Sequence, residues 1–333
     1  MSYSLAQQSF ENFQKQLMFL GIGLLSMLFI STLDWRVLRN HSFILLFLYG
    51  IGLLLLIGLF VFAPETRGTQ GWYRIGGISM DPIEFMKFVL IVLMAKYFSS
   101  RHREMYRVVH IILSGIYFAV PLFLIYRQPN LGSAFVLFAL WVSILLVSGI
   151  KLRHFILLIL AVSAVFSIGW NFVLQDYQKS RLLSFVEPEL DPLGIGWSQL
   201  QSKIAIGNGG IFGQGFGQGS QIQYHFLSEP HTDFIFASIG EEFGLFGLSI
   251  LFLLYALLLW RIFQIGIRAQ SNFPRLFAIG FASVIVAQFV VHIGMNLGLL
   301  PIVGLSLPFV SYGGSSLLFS YMMLGFLQSM AKK

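Results

Sequence analysis

Residues 42–63 read SFILLFLYGIGLLLLIGLFVFA, a run of 22 residues without a charged side chain. A helix needs about 20 consecutive apolar residues to cross the hydrocarbon core of a bilayer, so this run predicts a transmembrane helix. Eight further apolar runs occur along the chain, although the third span is short and carries Lys87. The predicted spans are 17–33, 42–63, 83–98, 109–126, 131–149, 154–174, 234–260, 276–298 and 311–330.

The composition predicts an all-α polytopic membrane protein with about nine transmembrane helices. Hydrophobic residues make up 56% of the 333 residues and charged residues make up 11%, whereas soluble globular proteins average about 25% charged residues. A soluble enzyme, a disordered chain and a fibrous repeat are therefore excluded. We expect residues 1–333 to form a single integral membrane domain, with residues 175–232 as one long extracytoplasmic loop. Cysteine is absent, which excludes disulfides, thiol nucleophiles and thiolate metal sites.

Basic residues predict the orientation, because Lys and Arg accumulate in cytoplasmic loops. Twelve of the 21 basic residues lie in short connections on one side of the predicted spans, and seven lie in longer segments on the other. The twelve are Arg36, Arg39, Arg101, Arg103, Arg107, Lys151, Arg153, Arg261, Arg268, Arg275, Lys332 and Lys333. We therefore expect these connections and the C-terminus in the cytoplasm, and the N-terminus and the long loop outside. The net charge of +7 is then a topology signal rather than a surface for nucleic acid.

The long loop contains a glycine-rich segment and a helical pattern. The segment Gly213–Gly219 lacks the strand and helix that flank a phosphate loop. It is either a loop of backbone turns or a loop whose backbone approaches a substrate. Upstream, Trp197, Leu200, Ile204 and Ala205 share one helical face. They predict a helix that lies at the outer membrane interface or packs over the mouth of the bundle.

Three predicted outer helix starts carry polar residues. The segment Asp81–Glu84 reads as a capping box with proline at the first helical position. Asn130 is a good N-cap for the span that follows it, and the seventh span opens with His231–Asp233, where Thr232 or Asp233 could cap. At each start, capping and catalysis are both open interpretations. Lys87 follows Glu84 by three residues, which allows the two side chains to pair.

Metal-binding patterns are weak in this sequence. No His-Glu-x-x-His pattern occurs, and the spacing of His225, His231 and Asp233 is nonspecific. Glu241 and Glu242 lie two turns into the seventh span, where an unpaired charge is costly. We expect at least one of these carboxyl groups to face inward and to accept hydrogen bonds.

Seven segments in order resemble the SEDS family (shape, elongation, division and sporulation), the peptidoglycan glycosyltransferases typified by RodA and FtsW. The segments are Gly71–Arg74, Glu84–Lys87, Gln128–Gly132, Arg181 with Glu187–Pro192, Gln201–Gly210, His231–Phe236 with Gly240–Glu242, and Asn296–Ser316. The Gln201-Ser202-Lys203 form favours the RodA branch. The family usually has Gln-Pro-Ser-Glu at 81–84 and aspartate at 130. Because Asn caps a helix as well as Asp does, Asn130 indicates a structural role for that position.

The resemblance also bears on the number of spans. Family members generally have ten spans, and aligning the motifs puts the first predicted span of this chain on the family's second. We therefore expect the family's first helix to be absent, either because this branch dispenses with it or because the reading frame starts late. An N-terminus outside the cell agrees with this expectation.

By resemblance, the activity is an inverting glycosyl transfer that joins the disaccharides of lipid II into glycan strands, with undecaprenyl pyrophosphate as the leaving group. The family match makes Asp233 the candidate catalytic base. A helix N-terminus stabilises a carboxylate and so weakens it as a base, which leaves orientation of the hydroxyl and cation binding open as roles. No cofactor is implied, and a divalent cation is possible. The candidate substrate-binding residues are Trp72, Arg74, Glu84, Lys87, Gln128, Arg181, Lys203, His231, Thr232 and Ser311.

Some of these candidates have a second interpretation. Arg74, Lys87, Arg181 and Lys203 either face the leaving pyrophosphate or are outer-surface charges. Trp72 either contacts sugar or lipid, or anchors the membrane interface.

The partners implied are lipid II, the nascent glycan strand, membrane lipid and a class B penicillin-binding protein transpeptidase, with no nucleic acid. The implied location is the inner membrane of a bacterium. The alternatives are a lipid II flippase or transporter, a division-type polymerase like FtsW, and a scaffold that only recruits a transpeptidase. A transporter predicts charged groups near the bilayer midplane, whereas the charges here gather at the predicted outer edge, which favours an enzyme.

Overall fold

The computed structural model describes residues 10–64, 71–75, 78–101, 108–172, 179, 185 and 195–332. These residues form helices and one short hairpin. In chain order the elements are α1 (Glu11–Thr32), α2 (Arg36–Asn40), α3 (Ser42–Phe62), β1 (Tyr73–Ile75), β2 (Ile78–Met80), α4 (Pro82–Ser100), α5 (Val108–Arg127), α6 (Leu131–Val147), α7 (Leu152–Phe172), α8 (Ile195–Asn208), α9 (Ser220–Gln223), α10 (Ile235–Arg268), α11 (Asn272–Asn296) and α12 (Gly314–Lys332).

Each predicted span coincides with one of the described helices. Five of these helices, α1, α3, α5, α10 and α11, are both long and apolar enough to cross a bilayer. Helix α4 carries three charged residues, Glu84, Lys87 and Lys96, and α6 has only 17 residues. The chain is therefore a multi-pass helical membrane protein.

The chain divides into two compact units. Unit 1 comprises Met1–Ile22, Asp176–Trp260 and Val286–Leu317, and unit 2 comprises Gly23–Gln175, Arg261–Ile285 and Leu318–Lys333. A cluster of Ala205, Leu227, Phe234 and Ala237 lies buried in unit 1. In unit 2, the ring of Phe326 packs against the rings of Phe88 and Phe277, with centroid distances of 5.6 and 5.0 Å. That the whole chain forms one membrane domain stays a prediction.

Local capping explains where two of the helices begin. The Asp81 carboxylate accepts a hydrogen bond of 2.8 Å from the backbone N–H of Ile83, and Pro82 is the first residue of α4. The Asn130 side chain accepts a hydrogen bond of 3.1 Å from the N–H of Ser133 at the start of α6. Asp81 and Asn130 are thus confirmed as N-caps, and Asn130 has the structural role that its sequence indicated. The return bond from Glu84 that completes a capping box stays a prediction.

Replacing Asn130 by Ala is expected to destabilise the protein by about 1 kcal/mol, because the Ser133 N–H loses its acceptor. Asn130→Asp keeps an acceptor and should unfold at the wild-type temperature. Thermal unfolding of the two purified variants measures the difference. Equal losses in both variants would show that the asparagine does more than cap.

The β-hairpin was not predicted from the sequence. Strands β1 and β2 pair antiparallel, with Tyr73 opposite Met80, and each has only three residues. A strand of that length is too short to show an alternating pattern of apolar and polar residues. The Tyr73 hydroxyl donates a hydrogen bond of 2.6 Å to the Leu55 carbonyl of α3, which ties the hairpin to the helix before it.

Within the predicted long loop, residues 195–223 are largely helical. The predicted helix around 197–205 is confirmed as α8. Its apolar side chains Trp197 and Leu200 are 39% and 51% exposed, whereas the polar side chains of Gln199 and Ser202 are buried. The side chains of Trp197, Leu200 and Ile204 therefore point away from the protein interior, as a helix at a membrane interface requires, whereas Ala205 of the predicted apolar face is fully buried.

Helix α10 is broken at Gly244, where φ is 64° and ψ is −161°. An unbroken helix would bond the Leu245 N–H to the Glu241 carbonyl and the Phe246 N–H to the Glu242 carbonyl. The segment 210–215 lies in this gap and supplies both sets of partners. Gln214 and Gly215 donate to the two carbonyls at 2.9 and 3.0 Å, and Leu245 and Phe246 donate to the carbonyls of Gly210 and Ile211 at 2.9 and 3.0 Å.

We call this arrangement, residues 209–215 against 240–246, the glycine clasp. A methyl group on Gly213 would overlap the Glu242 carbonyl, and its φ of +82° also favours glycine. The Glu241 side chain is fully buried and accepts hydrogen bonds from the Ser220 hydroxyl and the Gln221 N–H, at 3.1 and 2.9 Å. The predicted inward-facing carboxylate is thus confirmed. The glycine-rich segment forms backbone turns, and part of it approaches its own helix.

Candidate active site

Asp233 lies in the turn that precedes α10, two residues before the helix begins at Ile235. The residue is half-buried, as are His231 and Thr232 beside it. The sequence therefore placed this carboxyl group correctly at the mouth of a helix. Whether Asp233 or Thr232 caps α10 stays a prediction.

Asn296 holds the main chain at this position. Its side-chain amide donates to the Asp233 carbonyl at 3.0 Å and to the His292 carbonyl at 2.8 Å. Its side-chain oxygen accepts from the Ala237 N–H at 3.1 Å. Asn296 is fully buried, and its own carbonyl accepts from the Ser202 hydroxyl of α8 at 2.8 Å. Asn296 thus links the start of α10 to the end of α11 and to the middle of α8.

The Ser311 hydroxyl fixes the same turn from another direction. It donates to the Thr232 carbonyl at 2.7 Å and accepts from the Leu307 N–H at 2.8 Å. The neighbouring Tyr312 N–H donates to the His231 carbonyl at 2.8 Å, and the two rings lie 5.5 Å apart. The backbone of the turn that carries Asp233 therefore has a fixed position in unit 1.

Gly304 lies beside the Asp233 carboxyl group. A β-carbon built on Gly304 would lie 3.7 Å from Asp233 Oδ2, an ordinary van der Waals contact, and its φ of +68° favours glycine. Lys203, on α8, is exposed, and its side chain packs over Gly298.

The structure gives no support to the nonspecific metal pattern in the sequence. Within the described ranges, no group of three or more His, Asp or Glu side chains is arranged to hold a metal ion. His231 instead lies 3.8 Å from the Glu229 carboxylate. A divalent cation at the site stays a proposal.

A second group of candidate residues lies in unit 2. Lys87 Nζ donates to Glu84 Oε1 at 2.8 Å, and the side chains are 1% and 7% exposed. This confirms the predicted pairing. Asp81 caps the same helix and is half-buried. Burial raises the pKa of its carboxyl group to about 7, and the neighbouring Glu84 carboxylate adds to the rise.

Gln128 is also in this unit and is fully buried. Its side-chain amide donates to the Leu56 carbonyl of α3 at 2.7 Å. Trp72 and Arg74 are exposed, next to and within the hairpin. Arg181 lies outside the described residues, as does Glu187–Pro192.

Removing the carboxylate of the buried pair is expected to be costly. Glu84→Gln leaves the buried Lys87 ammonium without its hydrogen-bonded ion-pair partner, and the expected loss of stability is about 3–5 kcal/mol. The double variant with Lys87→Met removes both charges and should recover most of that loss. Thermal unfolding in detergent measures both, and a double variant no more stable than Glu84→Gln would contradict the pairing argument.

Comparison with known proteins decides the family. A family model described as a cell cycle protein, named for FtsW, RodA and SpoVE, matches residues 1–333. The chain belongs to the FtsW/RodA/SpoVE family.

Two relatives illustrate the similarity within this family. The chain is 35% identical to stage V sporulation protein E of Bacillus subtilis over 322 residues, which cover 96% of this chain and 86% of that protein. It is 36% identical to the peptidoglycan glycosyltransferase MrdB of Escherichia coli over 299 residues, which cover 90% and 80% of the two chains.

Solved structures in the family have the same fold. A chain from a peptidoglycan synthase complex, described as coordinating polymerization and crosslinking, matches with a TM-score of 0.83 and 31% identity. The match covers 96% of this chain and 89% of that one. The rod shape determining protein RodA of Thermus thermophilus matches with a TM-score of 0.70 and 29% identity, over 96% and 87% of the two chains.

Sequence reasoning recognised the FtsW/RodA/SpoVE motifs but did not name every residue that builds the site. Asn296 lies in one of the motifs, but the motif alone does not mark it as a site residue. A polar amide at the end of an apolar span is itself a signal, because a membrane protein must satisfy such a group internally. Gly304 gave no such signal, since only the folded chain brings it to Asp233.

Proposed function

We propose that this protein is a SEDS-type peptidoglycan polymerase, a glycosyltransferase that extends glycan strands. Membership of the FtsW/RodA/SpoVE family carries this conclusion, with a relative named peptidoglycan glycosyltransferase at 36% identity. The finer proposal is that the substrate is lipid II and that the reaction occurs on the outer leaflet. We favour the elongation role of the RodA branch because of the Gln201-Ser202-Lys203 form.

The reaction forms one glycosidic bond and breaks one bond to pyrophosphate. The 4-hydroxyl of an incoming N-acetylglucosamine attacks C1 of the N-acetylmuramic acid on the growing strand. The bond from C1 to the pyrophosphate oxygen breaks, and undecaprenyl pyrophosphate leaves with the electron pair. An α-linked donor then gives a β-linked product by a single inversion, which needs a base beside the hydroxyl and no covalent enzyme intermediate.

Asp233 is the proposed base or orienting group for that hydroxyl. Its support is geometric, because the half-buried carboxyl group sits on a turn that Asn296 and Ser311 hold through backbone bonds. A carboxyl group on a fixed backbone loses less entropy when it reaches the geometry of the reaction. Its place beside a helix start favours the charged form, so holding the hydroxyl, directly or through a cation, is as important to the role as accepting its proton.

The other candidates divide into contact and positioning residues. Lys203 and Arg74 are exposed and have cationic side chains suited to pyrophosphate, and we propose the same role for Arg181. Trp72, His231 and Thr232 are partly or well exposed, which suits contact with sugar or lipid. We assign positioning roles to Lys87, Glu84, Gln128 and Ser311, because their polar groups bond within the protein.

Topology and partners complete the proposal. We propose that the helices matching the predicted spans all cross the inner membrane of a bacterium, with the N-terminus outside and the C-terminus in the cytoplasm. The proposed partner is a class B penicillin-binding protein, since a structural neighbour comes from a complex that couples polymerization with crosslinking. Membrane lipid surrounds the protein, and no nucleic acid is involved.

A flippase or transporter is the main rival function. Transporters bind substrate at broken helices whose free ends face the substrate, and α10 is broken at Gly244. However, the ends of this break bond to residues 210–215 of the glycine clasp, so their backbone groups are already satisfied. The break therefore gives a transporter no ready ion or substrate site.

Purified protein incubated with labelled lipid II in detergent tests the proposal, with and without a divalent cation. Polymer of many disaccharides is expected, and its dependence on the cation answers the metal question. Translocation of lipid II in vesicles with no polymer would instead support the transporter. Failure of both, with transpeptidase recruitment intact, would support the scaffold.

A further inference from the structure

A basic cavity of about 330 Å³ lies in unit 2 at the ends of several helices. Four arginines line it: Arg36, Arg39, Arg261 and Arg268. None of the described lining residues is acidic. Asp34 lies nearby, 3.8 Å from Arg36, and the side chains of Arg36 and Asp34 are 46% and 41% exposed. The cavity therefore carries a net positive charge that one carboxylate only partly offsets.

Trp35 forms part of the wall and orders two of the arginines. Its ring is 4% exposed and stacks on Phe273, with centroids 5.4 Å apart and planes 10° apart. The guanidinium groups of Arg36 and Arg39 lie 5.4 and 5.8 Å from the ring centroid. Such cation–π contacts hold a guanidinium in place without neutralising its charge. The arginines thus remain available to an anion.

Four guanidinium groups around one cavity favour an anion with several oxygens, because guanidinium forks match such oxygens.

The position of the cavity indicates a lipid rather than a soluble anion. Arg268 is the last residue of α10, Ser271 precedes α11, and Met330 lies in the last turns of α12, so the cavity is at the level where these membrane helices end. On the same turns of α10, Phe263 and Ile267 are 43% and 72% exposed, on a different face of the helix from the arginines that line the cavity. Apolar surface that suits acyl chains therefore occurs at the same level as the basic site.

We propose that this cavity binds the phosphate headgroup of an anionic phospholipid from the leaflet that faces the cytoplasm. Basic pockets between membrane helices on that side suit such headgroups, because the leaflet is rich in negative charge. Four guanidinium groups can share one or two phosphates, and guanidinium forks match phosphate oxygens. The proposal rests on the proposed orientation, with the C-terminus in the cytoplasm, but it is independent of the polymerase reaction, since it uses none of the candidate site residues.

The test compares lipids and charge variants on the purified full-length protein. The cavity variant is Arg39→Gln with Arg268→Gln, and the control is Lys151→Gln with Arg153→Gln. Each removes two positive charges from exposed side chains, but the control pair lies outside the cavity. Size-exclusion profile and circular dichroism confirm that both are folded. Delipidated protein is titrated with phosphatidylglycerol, phosphatidylcholine or inorganic phosphate at constant ionic strength, and bound lipid is counted by native mass spectrometry.

Phosphatidylglycerol is expected to bind wild type and control with the same affinity, and the cavity variant at least tenfold more weakly. Phosphatidylcholine and inorganic phosphate are expected to bind wild type and control at least tenfold more weakly than phosphatidylglycerol does. Equal binding of phosphatidylglycerol by the cavity variant would overturn the site. Phosphate as effective as phosphatidylglycerol would overturn the lipid in favour of a soluble phosphate compound, and phosphatidylcholine as effective would overturn the role of charge.

Discussion

Replacing Asp233 by Asn is expected to leave the protein folded and to lower its polymerisation of lipid II at least 100-fold. Asn has nearly the size of Asp and keeps an acceptor oxygen, and the bond from Asn296 goes to the backbone carbonyl of residue 233. The substitution removes only the negative charge and the basic oxygen. General-base catalysis contributes about 10²–10⁴ in rate, which sets the size of the effect. Gel analysis of labelled glycan strands from purified protein measures it.

Glu229→Gln is a matched control for this experiment. It removes a carboxylate four residues earlier in the chain, in a half-buried side chain. The Glu229 carboxylate makes long contacts with Thr232 and His231, at 3.4 and 3.8 Å. Long contacts contribute little energy. The control should therefore keep its polymerisation activity within about tenfold of wild type. If Asp233→Asn polymerised lipid II as fast as this control, the carboxylate would have no role in the mechanism.

Adding a methyl group at Gly213 is expected to open the glycine clasp. The new β-carbon would overlap the Glu242 carbonyl, and φ at Gly213 is +82°. Backbone strain costs about 1–3 kcal/mol and overpacking about 1–3 kcal/mol, so Gly213→Ala should lose about 2–6 kcal/mol of stability. The same loss is expected for Gly244→Ala, where φ is +64° and the backbone of residues 211 and 213 is in contact.

Gly207→Ala is the control for the clasp. Gly207 lies in α8, and nothing lies within 4 Å of the β-carbon that alanine would add. Because alanine favours a helix more than glycine does, this variant should be neutral or up to about 1 kcal/mol more stable. Thermal unfolding midpoints rank the variants. Clasp variants as stable as Gly207→Ala would mean that the loop does not support the broken helix.

Opening the clasp should also lower the rate of polymerisation, because Asp233 lies just before the helix that is broken at Gly244. Below their unfolding temperatures, the clasp variants should therefore polymerise more slowly than Gly207→Ala. A clasp variant that is destabilised but fully active would separate the two parts of α10.

The contacts near the helix starts show which features can be predicted from the local sequence alone. The caps at Asp81 and Asn130 and the pair Glu84–Lys87 all involve residues two or three positions apart. Helix geometry alone brings such residues together, so their contacts follow from spacing. The family motifs similarly located Asp233 at the mouth of α10, because a motif fixes a position in the chain.

Hydropathy located the spans but missed features within them. The run 234–260 predicted one unbroken span, and its helix both continues to Arg268 and breaks at Gly244. Hydropathy records how apolar a side chain is, and it is insensitive to the backbone torsions that break a helix. A span predicted from hydropathy also ends where charged residues begin, although the helix itself can continue past the edge of the bilayer.

What the sequence by itself determined was the class of protein, because about 20 apolar residues in a row have few stable arrangements other than a membrane helix. The tertiary structure alone decided which distant groups meet: Asn296 at the Asp233 carbonyl, residues 210–215 in the break of α10, and four arginines around one cavity. Backbone hydrogen bonds and close packing depend on the path of the chain in space. They leave no periodic pattern in the order of its residues.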